Sequence, residues 1–553
     1  MLELQQLSIA FQSNTVVKSV DLSLQPNEIL GLVGESGSGK SVTAKAIMQL
    51  LDKKAEITGQ LIFEGNDLNQ YSEAEFQQLR GREISMIFQE PMSSLNPSMR
   101  CGTQVAEILK QHTKGSHKSI QAEVIRLFEK VKLPRTEQLY KAYPHEISGG
   151  QKQRVMIAMA IACQPKILIA DEPTTALDVT VQKTILELLK SIQAETGMSI
   201  LFISHDLALV SELADRVAVM YQGELVEVNE TATLFKQPKQ AYTKALLATK
   251  PPLKYRLKRL PTVADVMQDK LNLDKESRAE REKRHENIYG HPPLLIVKDL
   301  HKTYVKAGRW LSASTEVKAV NGVNFELYEG ENMGLVGESG CGKSTLSKVL
   351  LGLEPATKGE VWYKGQDITQ LSSKQFKHLR SDIQLIFQDP FSSLNPRLSI
   401  GEAIVEPMLV HGIAHSKTQA QQTACELLER VGLSAAHFHR YPHEFSGGQR
   451  QRIGIARTIA LQPKIVICDE SVSALDVSVQ AQVLNLLNDL KADFNFTYLF
   501  ISHDLAVVKY MADQLLVMRD GEIVEHGNAD VVYADPQQNY TKELIAAIPK
   551  GID

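Results

Sequence analysis

Cysteine is scarce: Cys101, Cys163, Cys341, Cys425 and Cys468 are the only five in 553 residues, and no two stand at metal-ligand spacing. An odd, scattered set excludes a disulfide-stapled scaffold and a zinc module. It fits reduced thiols in the cytoplasm, serving as small buried apolar groups. A large surplus of one charge sign is missing as well. The formal net charge is −4, which gives no global support to a nucleic-acid-coating surface. Long apolar runs are absent: none approaches the roughly 18–20 residues needed to cross a bilayer, and those present, such as Ile29 to Val33, are strand-sized. The N-terminal MLELQQLSIAF lacks the charged-then-apolar layout of a signal peptide and reads as a strand. What remains is ordinary globular composition, 43% hydrophobic and 23% charged, in a chain too long for one core. Two or more domains are expected.

An internal repeat organises the chain. GLVGESGSGKS at 31–41 returns as GLVGESGCGKS at 334–344, and FQEPMSSLNP at 88–97 as FQDPFSSLNP at 387–396. YPHEISGGQKQR at 143–154 returns as YPHEFSGGQRQR at 441–452, and ISHDLA at 203–208 as ISHDLA at 501–506. The separation is 303 residues from Lys40 to Lys343, 299 from Gln89 to Gln388, and 298 from Ser148 to Ser446 and for later motifs. Two copies of one domain, differing by small indels, are fused in tandem. Between them lies a segment from Pro251 to Pro293 whose middle, DKESRAEREKRHE, mixes both charges with almost no apolar residue. It reads as a solvated, partly helical linker, although its start, LKYRLKRLPTVADVM, carries apolar residues suited to packing on a neighbour.

Both copies of the first motif satisfy G-x-x-x-x-G-K-[ST]. They comprise Gly34, Glu35, Ser36, Gly37, Ser38, Gly39, Lys40 and Ser41, then Gly337, Glu338, Ser339, Gly340, Cys341, Gly342, Lys343 and Ser344. Each follows an apolar strand and precedes a helix-like stretch. The glycines let backbone N–H groups wrap phosphates at a positive helix end. Lys40 and Lys343 would reach the β- and γ-phosphates of ATP, and Ser41 and Ser344 would ligate Mg²⁺. KILIADE (166–172) and KIVICDE (464–470) read as buried parallel strands delivering carboxylates to a sheet's C-terminal edge. Asp171 and Asp469 suit Mg²⁺, while Glu172 and Glu470 are placed to polarise an attacking water.

These elements resemble ATP-binding-cassette (ABC) ATPases once the signature Ser148, Gly149, Gly150 and Gln151, and its repeat Ser446, Gly447, Gly448 and Gln449, are added. The resemblance covers nearly the whole chain outside the linker. It implies an α/β fold of two tandem P-loop domains, at 1–250 and 294–553 around a 251–293 linker. Each would hold a RecA-like core, an antiparallel β subdomain and an α-helical signature subdomain. It also implies two ATPs sandwiched head-to-tail. One site would use Lys40, Ser41, Gln89, Asp171, Glu172 and His205, completed by Ser446, Gly447 and Gly448. The other would use Lys343, Ser344, Gln388, Asp469, Glu470 and His503, completed by Ser148, Gly149 and Gly150. Gln89 and Gln388 would reach Mg²⁺, and the histidines the γ-phosphate. Phe11 and Tyr304 are the candidates for stacking on adenine, with Trp310 in the insertion VKAGRWLSAST a rival to Tyr304. Val42 stands where Thr345 supplies a second hydroxyl, and Ser471 where Pro173 follows the acidic pair. These departures imply modest asymmetry between two hydrolytically competent sites.

EPMSSLNP, DPFSSLNP, the YPHE strings and the tails LFKQPKQAYTKALLATKPP and VYADPQQNYTKELIAAIP are similar to the oligopeptide/dipeptide importer group. Within it, the chain is similar to fused ATPase subunits of microcin C/oligopeptide importers. The resemblance implies two transmembrane permease subunits docking near Met92 and Phe391, a periplasmic solute-binding protein, and one chain per transporter. It places the protein peripherally on the cytoplasmic face of the inner membrane, without nucleic acid. Some relatives carry a four-cysteine iron–sulfur motif; no cysteine lies between 164 and 340 or beyond 468, so neither that cluster nor zinc is expected. A ribosome-acting tandem cassette is the rival, and its linker is usually longer.

Overall fold

The computed structural model describes residues 1–89, 94–175, 177–306, 315–389, 391, 393–473 and 475–549. In the first half, β1 (Leu2–Phe11), β2 (Asn14–Leu24), β4 (Ala55–Phe63) and β5 (Asn66–Asp67) form an antiparallel sheet ordered β2-β1-β4-β5. A second sheet is ordered β10-β9-β3-β8-β7-β6, from β3 (Ile29–Val33), β6 (Ile84–Ile87), β7 (Ile167–Asp171), β8 (Ser199–Ser204), β9 (Arg216–Tyr221) and β10 (Glu224–Glu230). All its pairings are parallel except β9 with β10. β3 is buried at every position, as a strand covered on both faces must be, which explains its unbroken apolar sequence ILGLV.

The second half repeats this plan. β11 (Leu295–Lys306), β12 (Thr315–Leu327), β14 (Lys358–Tyr363) and β15 (Gln366–Asp367) are ordered β12-β11-β14-β15. β13 (Asn332–Val336), β16 (Ile383–Ile386), β17 (Ile465–Asp469), β18 (Thr497–Ile501), β19 (Gln514–Arg519) and β20 (Glu522–Asn528) are ordered β16-β17-β18-β13-β19-β20. A helical layer stands between β6 and β7, where the helices Cys101–His112, His117–Lys130 and Gly149–Ile161 bury Val105, Val124, Phe128 and Ile157 in one cluster. Its counterpart, Ile400–Val410, Lys417–Arg430 and Gly447–Ile459, buries Ile404, Leu428 and Ile453. The expected core, antiparallel sheet and helical layer are all present in each half.

The mixed-charge middle of the segment between the halves is largely exposed and partly helical, as read from the sequence, but the segment is also tied into both halves. Leu257 and Leu260 are buried in the second half's core, and the Asn485 side chain bonds both the N–H and the carbonyl of Leu260, at 2.9 and 2.8 Å. Val263 instead joins the first half's core. The helix Arg278–Tyr289 opens on a Ser277/Glu280 capping box; Arg281 and Arg284 reach the second half, while Arg278 stays 91% exposed. Arg281 donates to the Ala512 carbonyl (3.0 Å), Arg284 pairs with fully buried Asp513 (2.7 Å), and the Tyr289 hydroxyl donates to fully buried Glu331 (2.9 Å). Several of the partners of these few side chains lie more than 200 positions downstream, so the sequence alone does not show them. The apolar start of the segment does pack on its neighbours, as expected.

Candidate functional site

Each parallel sheet delivers its chemistry at one edge. After β3 the chain turns through the glycine-rich loop into the helix Lys40–Ile47, whose first residue follows Gly39 with no side-chain cap, and the helix Lys343–Leu350 starts the same way at Gly342. Uncapped N–H groups at a positive helix end suit a polyphosphate. Gly39 and Gly342 hold φ of 104° and 115°, a conformation that disfavours any side chain. A Cβ on Gly342 would lie 2.1 Å from the Ala319 carbonyl oxygen.

Lys40 is buried inside its loop, where Nζ donates to the carbonyls of Gly34 (2.7 Å) and Glu35 (2.8 Å). Burial pulls its pKa down, against the nearby carboxylates Glu172, Asp476 and Asp171. Lys343 repeats the geometry with Gly337 (2.6 Å) and Glu338 (2.9 Å). Ser38 Oγ and Cys341 Sγ occupy matching positions beside the two amines, at 3.4 and 3.7 Å.

The acidic pair ends the strand beside the loop. Ser41 Oγ donates to Asp171 at 3.0 Å, and Ser344 to Asp469 at 3.4 Å. A hydroxyl and a carboxylate held together are hard oxygen donors of the kind Mg²⁺ prefers, so the residues present fit that ion. Glu172 and Glu470 then adopt φ of 47° and 49°, left-handed values unusual for a side-chain-bearing residue. At this bend Glu172 lies within electrostatic reach of Lys40, and Glu470 of Lys343. Pro173 and Ser471 thus follow the same backbone turn.

Glu172 Oε2 accepts from Gln89 Nε2 at 2.9 Å and from Thr175 Oγ1 at 2.9 Å, with His205 Nδ1 at 3.3 Å. Burial pushes this carboxyl up, but the His205 contact, Thr175 and Lys40 outweigh it and hold the pKa at about 2. Glu470 accepts from Gln388 at 2.7 Å and faces His503 at 3.4 Å, and is likewise held down by His503 and Lys343 against burial. For the imidazoles burial works downward, yet the adjacent carboxylates, led by Glu172 and Glu470, raise both. A carboxylate whose pKa is held down beside an imidazole can orient a water and track charge arriving on a phosphate.

The remaining expected residues fall as follows. Ser148 and Ser446 cap the helices Gly149–Ile161 and Gly447–Ile459, each accepting from the glutamine N–H three residues on (Gln151, Gln449). Phe11 is half-buried against the cluster that takes in Val16 and Val42. The Tyr304 hydroxyl lies by Glu354 and Thr345, next to the second phosphate loop. Trp310 and Met92 lie outside the described residues.

Two residues that the motifs did not single out join the halves. Asp476 of the second half accepts from Ser36 N (3.0 Å) and Ser36 Oγ (2.9 Å) in the first phosphate loop. Asp178 of the first half accepts from Ser339 N (2.7 Å) in the second, beside which Thr180 Oγ1 donates to Glu338 (2.9 Å). The signal was available, since Leu-Asp-Val recurs at 177–179 and 475–477 with the same offset as its neighbours.

Two phosphate loops, each facing an ionised carboxylate–histidine pair and each touched by the opposite half, define a two-cassette nucleotide hydrolase. Comparison with known proteins extends this. The family model described as ABC transporter matches residues 17–175 and 320–473. The model for the oligopeptide/dipeptide transporter C-terminal region matches 226–276. The chain belongs to the ABC transporter family and is one of its ATPases, with two fused ATP-binding domains. It is 45% identical over 566 residues to the glutathione import ATP-binding protein GsiA of Shigella boydii, covering 99% of this chain and 89% of that one. Proteins of the same name from Salmonella choleraesuis and Escherichia coli O6:H1 match at the same 45% over 562 and 566 residues. A solved dimer of an ATP-binding cassette with ADP and Pi is 29% identical, covers 42% of this chain and 98% of that one, and superposes with a TM-score of 0.39.

Proposed function

We propose that this chain powers import of peptides or peptide-like solutes, a class that takes in glutathione and microcin C-type peptides. Residues 1–250 and 294–553 act as two cassettes that close around two ATPs. The peptide part of this reading is supported by the match to the oligopeptide/dipeptide transporter model and the likeness to GsiA. The two-cassette part is carried by the reciprocal contacts of Asp476 with Ser36 and Asp178 with Ser339, which bind each phosphate loop to the opposite half. In the first site Lys40 and the loop N–H groups hold the phosphates, Glu172 orients water, and His205 contacts the γ-phosphate. Ser446, Gly447 and Gly448 complete that site from the other half. The second site uses Lys343, Glu470 and His503, completed by Ser148, Gly149 and Gly150. Phe11 and Tyr304 stack on adenine. Mg²⁺, held by Ser41 and Asp171 with Gln89, and by Ser344 and Asp469 with Gln388, supplies charge neutralisation at the phosphates.

Among the described residues no helix is long and apolar enough to cross a membrane, so translocation needs other subunits. We assign two permeases and a periplasmic solute-binding protein, with one chain per transporter on the cytoplasmic face of the inner membrane. Phe391, 63% exposed beneath the Arg450 guanidinium (3.6 Å), suits a permease docking surface beside Gln388. Purification of the tagged chain from native membranes in mild detergent, followed by mass spectrometry, tests the reading. Two polytopic permeases are expected. Ribosomal proteins without a permease would overturn it and reassign the ATPase to translation.

A further inference from the structure

The tails of the two halves end at one cavity, and there the repeat breaks in charge. Lys250 and Ile548 stand 298 residues apart, the offset shared by the motifs around them. Both line a cavity of about 100 Å³ at the seam, with His205 and Asp206 on one side and His503 and Asp504 on the other. Lys250 Nζ lies 3.3 and 3.2 Å from the two carboxylate oxygens of Asp206. The side chains of this pair are 26% and 21% exposed. Asp206 also accepts from Ala208 N at 2.8 Å, capping the helix Leu207–Leu213, while its own N–H donates to Ser204 Oγ at 3.0 Å. It is therefore held at three points, one residue after His205.

Asp504 repeats the helix cap, accepting from Ala506 N (2.9 Å) and Val507 N (3.2 Å), and its N–H donates to Ser502 Oγ. Its counterpart to Lys250 is Ile548, buried and uncharged. Among the described residues Asp504 accepts from backbone N–H groups alone.

We propose that Lys250 is a positioning residue that makes the two ATP sites unequal: it clamps Asp206, and through it the loop bearing His205, while among the described residues the His503 loop has no such cation. The inference rests on the assignment of His205 and His503 to the γ-phosphate made above. Among the described residues Glu172 at 3.3 Å, Asp206 on its own loop and Asp476 from the other half face His205. Lys40 acts on Glu172, and Lys250 on Asp206. His503 faces Glu470 at 3.4 Å, Asp504 and Asp178, with Lys343 acting on Glu470. An uncompensated carboxylate keeps a proton on a neighbouring imidazole to higher pH and repels an arriving phosphate. Lys250 removes that burden from the first site only. The protonation of His503 therefore persists to higher pH than that of His205, and the His205 loop starts closer to its working geometry.

The test uses the full chain with one site isolated at a time, by Glu470→Gln to leave the Lys40 site or Glu172→Gln to leave the Lys343 site. Rates of ATP hydrolysis are measured against ATP concentration and pH. In the Glu470→Gln chain, Lys250→Met is expected to lower kcat roughly three- to tenfold with KM held within about twofold, and to move the histidine limb to higher pH. Lys250→Arg is expected to restore both, because it keeps the charge. In the Glu172→Gln chain Lys250→Met should change nothing, and Ile548→Lys should move the limb to lower pH. Equal losses in both chains, failure of arginine to rescue, or a fall in thermal stability with an unmoved pH profile would overturn the inference. So would a Lys250-like shift on Lys550→Met, which alters the lysine just beyond the described residues. If neither glutamate change alone lowers turnover, the hydrolytic assignment itself falls, and the inference with it.

Discussion

Asp476 grips Ser36 at both its backbone N–H and its hydroxyl, 3.0 and 2.9 Å away, although the two residues lie in different halves of the chain. The phosphate loop of the first half is thus read by the second half before any signature residue is considered. Asp476→Ala should weaken ATP binding at the Lys40 site roughly tenfold, the scale of one charge-assisted hydrogen-bond pair that is partly solvent-exposed. Titration with a fluorescent nucleotide in a Lys343→Ala background checks this. Unchanged affinity there would mean that the contact is incidental to nucleotide capture.

Glu172→Gln and Glu470→Gln should each keep ATP binding while slowing hydrolysis at their own site by roughly 100- to 10,000-fold, the range for loss of a general base. Burial works against ionisation of Glu172, but His205, Thr175 and Lys40 hold it near a pKa of about 2, so the wild-type rate should show no Glu172 limb down to mildly acidic pH. Near-normal coupled hydrolysis in the double variant would remove both glutamates from the chemistry.

Ser446→Arg should damage the Lys40 site across the seam and spare the Lys343 site. Photolabelling with an azido-nucleotide, followed by peptide mapping, separates the two. Selective loss at Lys343 instead would mean that each half builds its site alone.

Gly342→Ala should abolish nucleotide binding at the second site without unfolding the chain. Its φ of 115° and the 2.1 Å approach of Ala319 O to a new Cβ leave the loop no unstrained way to close. Circular dichroism and nucleotide titration together would reveal the opposite result, a tolerated alanine.

Glu331 makes the second half's stability depend on pH in an unusual direction. Complete burial pushes its carboxyl up to about 7, despite the Tyr328 N–H, the Tyr289 hydroxyl and Lys491. A carboxyl raised on folding stabilises fully below its unfolded pKa, and that contribution is lost as pH rises through the folded value. From 4.5 to about 7 the loss is on the order of 3 kcal/mol. Urea unfolding at mildly acidic and mildly alkaline pH should show stability falling with pH, and Glu331→Gln should flatten the slope. An unchanged slope in the variant would exclude Glu331 as its source.

Much of this was legible because the motifs are local. A glycine-rich loop needs only consecutive residues to set its geometry, so Lys40, Ser41, Lys343 and Ser344 were placed from sequence, and Asp171 and Glu172 followed from an apolar strand ending in acid. Asp178 and Asp476 were missed because their partners are on the opposite half, and a Leu-Asp-Val string has no intrinsic chemistry until the halves meet. The linker's ties to the second half are hidden in the sequence for a related reason. Arg281, Arg284 and Tyr289 sit in a polar string, and only the fold supplies Ala512, Asp513 and Glu331 to receive them. Lys250 hides in plain view: it is one charge among 61 lysines and arginines, informative only when set against Ile548.

Leu260 is anchored in one core and Val263 in the other, with three residue steps between them. A fully extended chain of that length spans about 10 Å. Near this stitch the two cassettes cannot drift apart; they can only swing, with the widest gape farthest from it. Release of spent nucleotide would then proceed as the opening of a book along its spine, and two freely separating subunits would not be its equivalent.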